Sequence, residues 1–209
     1  METLYQSVDD LTAVTRSVEV LRAGGVVLYP TDTLYGLGVD ALSDKAVAKI
    51  FAIKCRKEGK PIHAIVSGLD MVARYAELTD DARFLAERLP QGQVTYILKK
   101  KTGFDTGITK GIQTFGFRIP GHEFCIQMAR AFGKPITATS ANKSGEKSER
   151  SVEKILAQLG TTTEKIDLVI DAGELPEREP STVVDLSVAE PVILREGAIS
   201  SSEVWNAIR

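Results

Sequence analysis

The chain has 209 residues, of which 43% are hydrophobic and 26% charged, and its formal net charge is −2. This composition is typical of a globular protein and excludes a chain that is disordered throughout. The length suits one α/β domain, and we predict a single domain over residues 1–209. Because the net charge is near zero, a uniformly basic nucleic-acid binder is excluded as well, and any basic site must be local.

Cysteine spacing and the lack of long apolar runs restrict the chain further. Cys55 and Cys125 are far apart and lack the C-x-x-C spacing of zinc or redox sites, so we expect no metal site and no disulfide framework. Residues 1–10 hold acidic side chains without the apolar segment of a signal peptide, and no apolar run approaches the length of a membrane span. We therefore expect a cytoplasmic protein without membrane contacts.

Helical and strand patterns alternate along the chain. Helices are predicted from Leu11 to the stop at Gly24 and Gly25, from the Ser43 cap to Lys54, over 70–77, 80–89, 123–132 and 151–159, and from Ser201 onward. Strands are predicted over 26–29, 61–66, 94–99, 115–119, 134–138, 168–171, 182–186 and 192–194. The alternation predicts an α/β fold, and the close spacing of the last strands indicates a mixed sheet.

Residues 139–145 carry the most suggestive chemistry, because three hydroxyls, Asn142 and Lys143 directly follow a strand pattern. Small hydroxyl residues, a freely turning Gly145 and backbone N–H groups at a strand-to-helix junction can hold phosphate or carboxylate oxygens. An ordinary capped loop before the next helix would have a similar composition. The segment alone leaves both interpretations open.

A cluster of cations, Lys54, Arg56, Lys57 and Lys60, lies within seven residues at a helix-to-strand connection. Most charge runs are solvated surface. An ammonium and a guanidinium on alternate residues of a loop also suit a polyphosphate, since one supplies a point charge and the other a bidentate fork. We favour the second interpretation.

Polar residues also occur beside other predicted strands. The hydroxyl residues and Asp32 in the loop over 30–38 could merely form a turn. Arg118 lies between two apolar residues, so on a strand it would point to the opposite side from both, as a cleft residue should. Ser181 and Arg195 repeat this pattern of hydroxyls and cations at strand ends.

Several familiar motifs are excluded by their context. The pattern G-x-G-x-x-A from Gly36 follows its strand too late, and no carboxylate for a ribose comes about twenty residues later. A phosphate loop of the Walker A type fails because Glu146 replaces its second glycine. The chain lacks the G-x-S-x-G elbow, so we predict structural roles for His63 and His122.

Six motifs occur in order along the chain. They are Tyr-Pro-Thr-Asp-Thr-x-Tyr-Gly-Leu-Gly at 29–38, Lys-x-Arg at 54–56, Gly-Phe-Arg-Ile-Pro at 116–120, Ser-Ala-Asn-x-Ser-Gly at 140–145, Ser-Thr-Val-Val-Asp at 181–185 and Arg-x-Gly at 195–197. Together they resemble the YrdC/Sua5 family of threonylcarbamoyl-AMP synthases. The resemblance implies an α/β fold with an open, twisted mixed β-sheet, flanking helices and a basic concave cleft.

The resemblance also implies a nucleotidyltransferase, L-threonylcarbamoyladenylate synthase. Such an enzyme makes threonylcarbamoyl-AMP and pyrophosphate from L-threonine, bicarbonate and ATP. ATP would enter with Mg²⁺ as the substrate complex, and no tightly bound cofactor is implied. The product would pass to a downstream tRNA threonylcarbamoyl transferase that forms N6-threonylcarbamoyladenosine, and the basic cleft would allow contact with tRNA or other RNA.

Site residues follow from the motif positions by the same resemblance. The implied threonine-binding residues are Thr33, Arg118, Ser140 and Ser181. The implied ATP-binding residues are Lys54, Arg56, Lys60, Asn142, Arg150 and Arg195. The implied catalytic residues are Lys54, Arg56, Ser140 and Asn142, and none is assigned to a metal.

The chain departs from the family pattern at three places. Lys57 stands where proline often follows Lys-x-Arg, and Gln91-Gly92-Gln93 replaces the usual Pro-Gly-Pro. Ile65 stands where many members have a threonine-contacting histidine, and His63 lies two residues earlier. The length resembles the short, single-domain type of the family.

Two other functions compete with synthesis. The main alternative is a non-catalytic paralogue of the same fold that binds double-stranded RNA or tRNA, although such a paralogue need not keep the residue pairs Lys54 with Arg56 and Ser140 with Asn142. A nucleotide-binding regulator or a hydrolase of small acyl substrates is disfavoured, because the chain lacks a paired base and nucleophile.

Overall fold

A mixed β-sheet runs through the protein, whose computed structural model describes residues 4–55 and 61–208. The strands of the described chain are β1 (Leu4–Ser7), β2 (Val27–Tyr29), β3 (Gly36–Gly38), β4 (His63–Ile65), β5 (Val94–Lys99), β6 (Thr114–Arg118), β7 (Ile136–Ser140), β8 (Leu168–Asp171), β9 (Thr182–Asp185) and β10 (Val192–Arg195). The α-helices are α1 (Ala13–Arg22), α2 (Asp44–Ile53), α3 (Leu69–Tyr75), α4 (Asp80–Arg88), α5 (Glu123–Phe132), α6 (Val152–Leu159) and α7 (Ser201–Ile208).

The strand order in the sheet is β1-β8-β2-β3-β7-β4-β6-β5-β9-β10. β2 pairs antiparallel with β3, and β3 with β7. β4 pairs parallel with β6, and β5 with β9, whereas the final pair, β9 and β10, is antiparallel. The predicted mixed sheet in a single-domain α/β fold is therefore confirmed, while its extent over the whole of residues 1–209 stays a prediction.

The helices cover both faces of the sheet, as the side chains of β2 show. Val27 and Tyr29 belong to an apolar cluster with buried residues of α1 and α5. Leu28 belongs to a larger cluster with buried residues of the other α-helices. Because successive side chains of a strand point to opposite faces, β2 is buried on both sides. This explains why its sequence is continuously apolar rather than alternating.

Local sequence signals set most helix ends. Ser43 caps α2 by accepting a hydrogen bond from the Ala46 N–H, at 3.3 Å, as its position predicted. Thr79 caps α4 in the same way, with 3.3 Å to the Ala82 nitrogen. Gly133 ends α5 in the left-handed conformation, with φ of 79°. Strand β5 and helix α5 occupy the residues that the pattern predicted.

Two strands were not predicted from the sequence, and the first helix begins at Ala13 rather than at Leu11. β1 is only four residues long and half polar, and β3 consists of Gly36, Leu37 and Gly38, whose glycines disfavour strands. The structure explains β3, because a Cβ on Gly38 would lie 2.8 Å from Cε1 of Tyr29, whose ring covers the glycines. Leu11 lies outside α1 and is 99% exposed, so it does not belong to the buried face of that helix.

Candidate active site

A cavity of about 500 Å³ opens between the ends of strands from both halves of the sheet. Its wall includes five of the ten site residues that the family motifs predict, namely Thr33, Arg118, Ser140, Ser181 and Arg195, whereas Lys54 and Asn142 lie behind it. The charged side chains in the described part of the wall are the guanidinium groups of Arg118, Arg178 and Arg195, and no carboxylate joins them there. The cavity is therefore a basic cleft, and its polar lining suits an anionic ligand.

Arg118 is held by groups from two loops. Its Nη1 donates to Asp32 Oδ2 at 3.1 Å, Thr33 Oγ1 at 3.0 Å and the Gly92 carbonyl at 3.0 Å, while Nη2 donates to Thr31 Oγ1 at 3.3 Å. The guanidinium is buried, and its ion pair with Asp32 is buried too. These bonds fix the orientation of a cation inside the cavity.

The loop between β2 and β3 forms around Thr31. The Thr31 hydroxyl accepts from the N–H groups of Thr33 and Leu34, at 3.1 and 3.2 Å, and donates to the Leu34 carbonyl at 2.7 Å. Such bonds from a threonine to nearby backbone define a tight turn. The turn interpretation is thus confirmed, and the same turn places the Arg118 acceptors.

Gly92 allows the close approach of Asp32. A Cβ on Gly92 would lie 2.0 Å from Asp32 Oδ2, and the φ of Gly92 is +83°. Both the space and the backbone conformation require glycine. The other carboxylate oxygen, Asp32 Oδ1, is buried without a hydrogen-bond partner among the described residues.

Ser181 and Arg195 form the opposite part of the wall. Ser181 Oγ lies 2.8 Å from Thr95 Oγ1 on β5. Arg195 donates through Nη2 and Nε to the Ser181 carbonyl, at 2.6 and 3.2 Å. Burial, and then the nearby charge of Arg118, lower the pKa of the Arg195 guanidinium below its usual range. The mutual repulsion of these cations indicates a positive potential that an anion would relieve.

Lys54 connects the end of α2 to the segment after β7. The residue is buried, with 3% of its surface exposed. Its ammonium donates to the Ser140 carbonyl, to the Asn142 carbonyl at 2.8 Å and to Asn142 Oδ1 at 3.0 Å. Ser140 Oγ donates to the same Asn142 Oδ1 at 2.6 Å. Asn142 Nδ2 then donates to the carbonyls of Lys143 and Glu146, at 2.9 and 2.6 Å. Lys54 and Asn142 therefore support Ser140, which lines the cavity.

Tyr35 supports the cavity from the side of β8. Its hydroxyl donates to the Gly173 carbonyl at 2.8 Å and accepts from the Ala172 N–H at 2.9 Å. Burial is the main cause that raises the pKa of Tyr35 to about 12. The phenol therefore stays protonated at neutral pH. It ties the loop between β2 and β3 to the residues that follow β8.

Comparison with known proteins gives the family. A family model for Sua5, YciO and YrdC proteins, described as "Telomere recombination", matches residues 19–197. The chain belongs to the Sua5/YciO/YrdC family. Within the family, a protein of Pyrococcus abyssi named threonylcarbamoyl-AMP synthase is 34% identical over 189 residues, which are 90% of this chain and 55% of that protein. The chain thus spans about half the length of that relative.

Other family members match over more of their own length or as structures. A Methanocaldococcus jannaschii protein named putative threonylcarbamoyl-AMP synthase is 35% identical, covering 87% of this chain and 83% of its own. The structure of P. abyssi Sua5 complexed with L-threonine has a TM-score of 0.89 and 31% identity, covering 100% of this chain and 61% of that one. E. coli YciO has a TM-score of 0.81 and 27% identity, covering 97% of both chains.

The structure brings together only part of the set that the family motifs predict. Arg150 lies outside the cavity wall, in an adjoining pocket, where its Nη2 is 3.3 Å from Glu174 Oε1. Arg56 and Lys60 lie outside the described residues, as does the substituted Lys57. The functional roles of all of these residues stay predictions.

Some residues of the wall were not predicted from the family motifs. His63, expected to be structural, lines the cavity from β4, and a Cβ on Gly116 would lie 2.4 Å from its Cδ2. Ile65, in the position of the family histidine, is fully buried between the sheet and α1 and α5. Because side chains alternate along a strand, His63 and Ile65 lie on the same side of β4. This alternation could have predicted that His63 lies on the side of the family histidine. Arg178 was missed as well.

The described residues offer neither a metal-binding cluster nor a membrane-spanning helix. No group of three or more His, Cys, Asp or Glu residues within 4–55 and 61–208 is arranged to hold a metal ion. Over the same residues, no helix combines the length and apolar character needed to span a membrane.

Proposed function

We propose that this protein is an L-threonylcarbamoyladenylate synthase, which makes threonylcarbamoyl-AMP and pyrophosphate from L-threonine, bicarbonate and ATP. The observation that carries the proposal is the buried Arg118, held inside a basic cavity together with the hydroxyls of Thr33, Ser140 and Ser181. A guanidinium beside hydroxyls is suited to an amino-acid carboxylate. A family member of known structure was complexed with L-threonine.

At the amino-acid end, Arg118 pairs with the threonine carboxylate. Thr33, Ser140 and Ser181 donate or accept hydrogen bonds around the rest of the molecule. The amine must be neutral, because its lone pair attacks the carbon of bicarbonate and forms a carbamate as water leaves. The cavity contributes orientation to this step, which converts a meeting of separate molecules into a reaction within one complex.

At the nucleotide end, a carbamate oxygen attacks the α-phosphorus of ATP. The bond between the α-phosphorus and the bridging oxygen breaks, and pyrophosphate leaves in line with the attack. Negative charge builds on phosphate oxygens, so cations and N–H donors lower the barrier. Arg56, Lys60 and Arg195 are the cations that we assign to direct contact with the phosphates, whereas Lys54 acts through Ser140.

Lys54 and Asn142 act on the reacting end through Ser140. Lys54 and Asn142 share one hydrogen-bonded cluster with Ser140, so they hold the segment after β7 against α2. Arg150 reaches ATP only if the triphosphate extends into the adjoining pocket that Arg150 lines. ATP enters with Mg²⁺ as the substrate complex, which neutralises part of the triphosphate charge.

The product is an activated acyl adenylate that a tRNA threonylcarbamoyl transferase consumes. Both reactions take place in the cytoplasm under this proposal. The alternative of a non-catalytic RNA-binding paralogue has no structural observation in its favour. RNA contact through the basic cleft is compatible with synthesis, because the cavity arginines would attract phosphates in either case.

Pyrophosphate release tests the proposal. We expect release only when ATP, L-threonine and bicarbonate are all present, and its loss when any one is omitted. Arg118→Ala should cost about 2–5 kcal/mol of binding or barrier, whereas Arg83→Ala, which removes an exposed arginine of α4, should leave the rate unchanged. Release that does not need threonine would contradict the proposal. RNA binding that falls steeply with salt, without any release, would favour the paralogue instead.

A further inference from the structure

The segment between β8 and β9 forms a strap over residues 175–180, which contributes Arg178 and Pro180 to the wall of the cavity. The strap is fixed at both ends. The Leu175 N–H donates to the Arg150 carbonyl at 2.9 Å, and the Pro180 carbonyl accepts from the Ala198 N–H at 2.9 Å. At the second end, a Cβ on Gly197 would lie 2.1 Å from the Pro180 oxygen, so the two backbones are in close contact. The middle of the strap, residues 176–179, is exposed.

Arg178 is the charged residue of the strap that lines the cavity. Its Nη1 donates to the backbone carbonyl of Asp32 at 3.0 Å, and the same Asp32 holds Arg118 through its side chain. Arg178 lines both the main cavity and an adjoining pocket of about 320 Å³. It therefore stands on the wall that the two spaces share.

The three cavity arginines differ in how many of their donors are used. Arg118 bonds four acceptors through Nη1 and Nη2, and Arg195 uses Nη2 and Nε on the carbonyl and the hydroxyl of Ser181. Within 4–55 and 61–208, Arg178 has one hydrogen bond, through Nη1, which leaves its Nε and Nη2 donors for a ligand. Guanidinium groups favour acceptors that two parallel N–H bonds can reach.

Two cations of the adjoining pocket, Arg150 and Lys154, are already paired, while Lys147 also lines it together with Glu149. Arg150 and Lys154 lie 3.3 and 3.5 Å from the same oxygen of Glu174. Glu177, next to Arg178 on the strap, also lines that pocket. The main cavity has no carboxylate on its described wall, so an anion at Arg178 is favoured on the cavity side.

We infer that Arg178 is an anion-binding residue that contacts a phosphate of the polyphosphate held in the cavity. The inference rests on the proposed function for the identity of the nucleotide, ATP. Arg118 already serves the site expected for a carboxylate, which leaves Arg178 and Arg195 as the arginines of the described cavity wall that can meet a triphosphate. The strap thus adds a phosphate contact that none of the six sequence motifs includes.

Binding measured without turnover tests the inference. Calorimetric titration of the full chain with tripolyphosphate, ATP and adenosine separates contacts to phosphate from contacts to the nucleoside. Arg178→Ala should weaken tripolyphosphate and ATP about tenfold or more and leave adenosine unchanged. Arg178→Lys should be intermediate, because lysine keeps the charge and loses the fork. Arg83→Ala is the matched control for an exposed arginine.

The inference is overturned if Arg178→Ala binds tripolyphosphate and ATP as the wild type does, or if adenosine weakens equally, which would indicate a purely structural role. It is also overturned if the wild type does not bind tripolyphosphate. Because threonine and bicarbonate are absent from these titrations, a wild type that binds ATP through Arg178 but releases no pyrophosphate would sink the proposed function and leave this inference standing.

Discussion

Arg118 and Asp32 form an ion pair at 3.1 Å in which the two side chains are 9% and 7% exposed. An ion pair this deeply buried is not an effective source of stability, because desolvation offsets much of the attraction. Its value is geometric, since Asp32 fixes the direction in which a guanidinium faces the cavity. Asp32 is therefore a positioning residue, and Arg118 is the group that we expect to touch substrate.

Removing Asp32 should leave Arg118 charged, buried and poorly oriented. We expect Asp32→Ala to cost about 3 kcal/mol of unfolding free energy and to weaken threonine binding more than ATP binding. Asp32→Asn, which keeps the shape, should be milder. Urea unfolding and calorimetric titration with each substrate measure the two effects. Glu87→Gln, an exposed carboxylate of α4, is the control, and wild-type threonine affinity in Asp32→Ala would refute the positioning role.

Adding a Cβ at Gly92 should also weaken threonine binding, because it would displace the Asp32 carboxylate. A Cβ there would lie 2.0 Å from Asp32 Oδ2, so Gly92→Ala must displace the carboxylate. Gly103→Ala is the matched control, because Gly103 also has a positive φ, of +93°, with nothing within 4 Å of its added Cβ. Backbone strain should cost each variant about 1 kcal/mol. We expect only Gly92→Ala to lose threonine affinity, and equal losses in both variants would contradict the contact.

Lys54 and Asn142 should behave as one unit. Their side chains meet at 3.0 Å, and Asn142 also accepts from Ser140. In a double-mutant cycle of Lys54→Met and Asn142→Ala, the losses should be less than additive, with a coupling energy of about 1–3 kcal/mol. The rate of pyrophosphate release and the unfolding free energy are the two readouts. Strictly additive losses would show that Lys54 acts independently of the segment after β7.

Asp44, which is not part of the cavity wall, should give the protein a pH-dependent contact. Hydrogen bonds from Lys110 at 2.6 Å, then the Gly107 N–H and Thr106, lower the pKa of Asp44 from 3.8 to about 2. Because the folded pKa is depressed, this stabilisation is complete above 3.8 and is lost as the pH falls toward 2. Asp44→Asn should therefore be destabilising at neutral pH, with a difference from wild type that shrinks over that acidic window in urea unfolding. A constant difference would contradict the assignment.

The sequence predicts the parts of this fold in which local and global preferences agree. Strand β5 and helix α5 have clear periodicity and lie where expected. Strand β3 was missed because its glycines make sense only once the Tyr29 ring is packed over them, which is a contact between strands. Residue periodicity does not include such packing.

The candidate site divides in the same way. Thr33, Arg118 and Ser181 follow from motifs and share one cavity wall. Arg178 was missed because it lies in an exposed, charged loop and contacts Asp32, 146 residues earlier. Nothing in the local sequence of such a loop distinguishes a cavity residue from solvated surface.

Mass spectrometry of the product tests the central claim most directly. The purified chain is incubated with ATP, isotopically labelled bicarbonate and a mixture of amino acids. We predict a single new adenylate with the mass of threonylcarbamoyl-AMP, which carries the label and is lost in Arg118→Ala. An adenylate of another amino acid, an unlabelled product, or no adenylate from a chain that binds ATP would contradict the account.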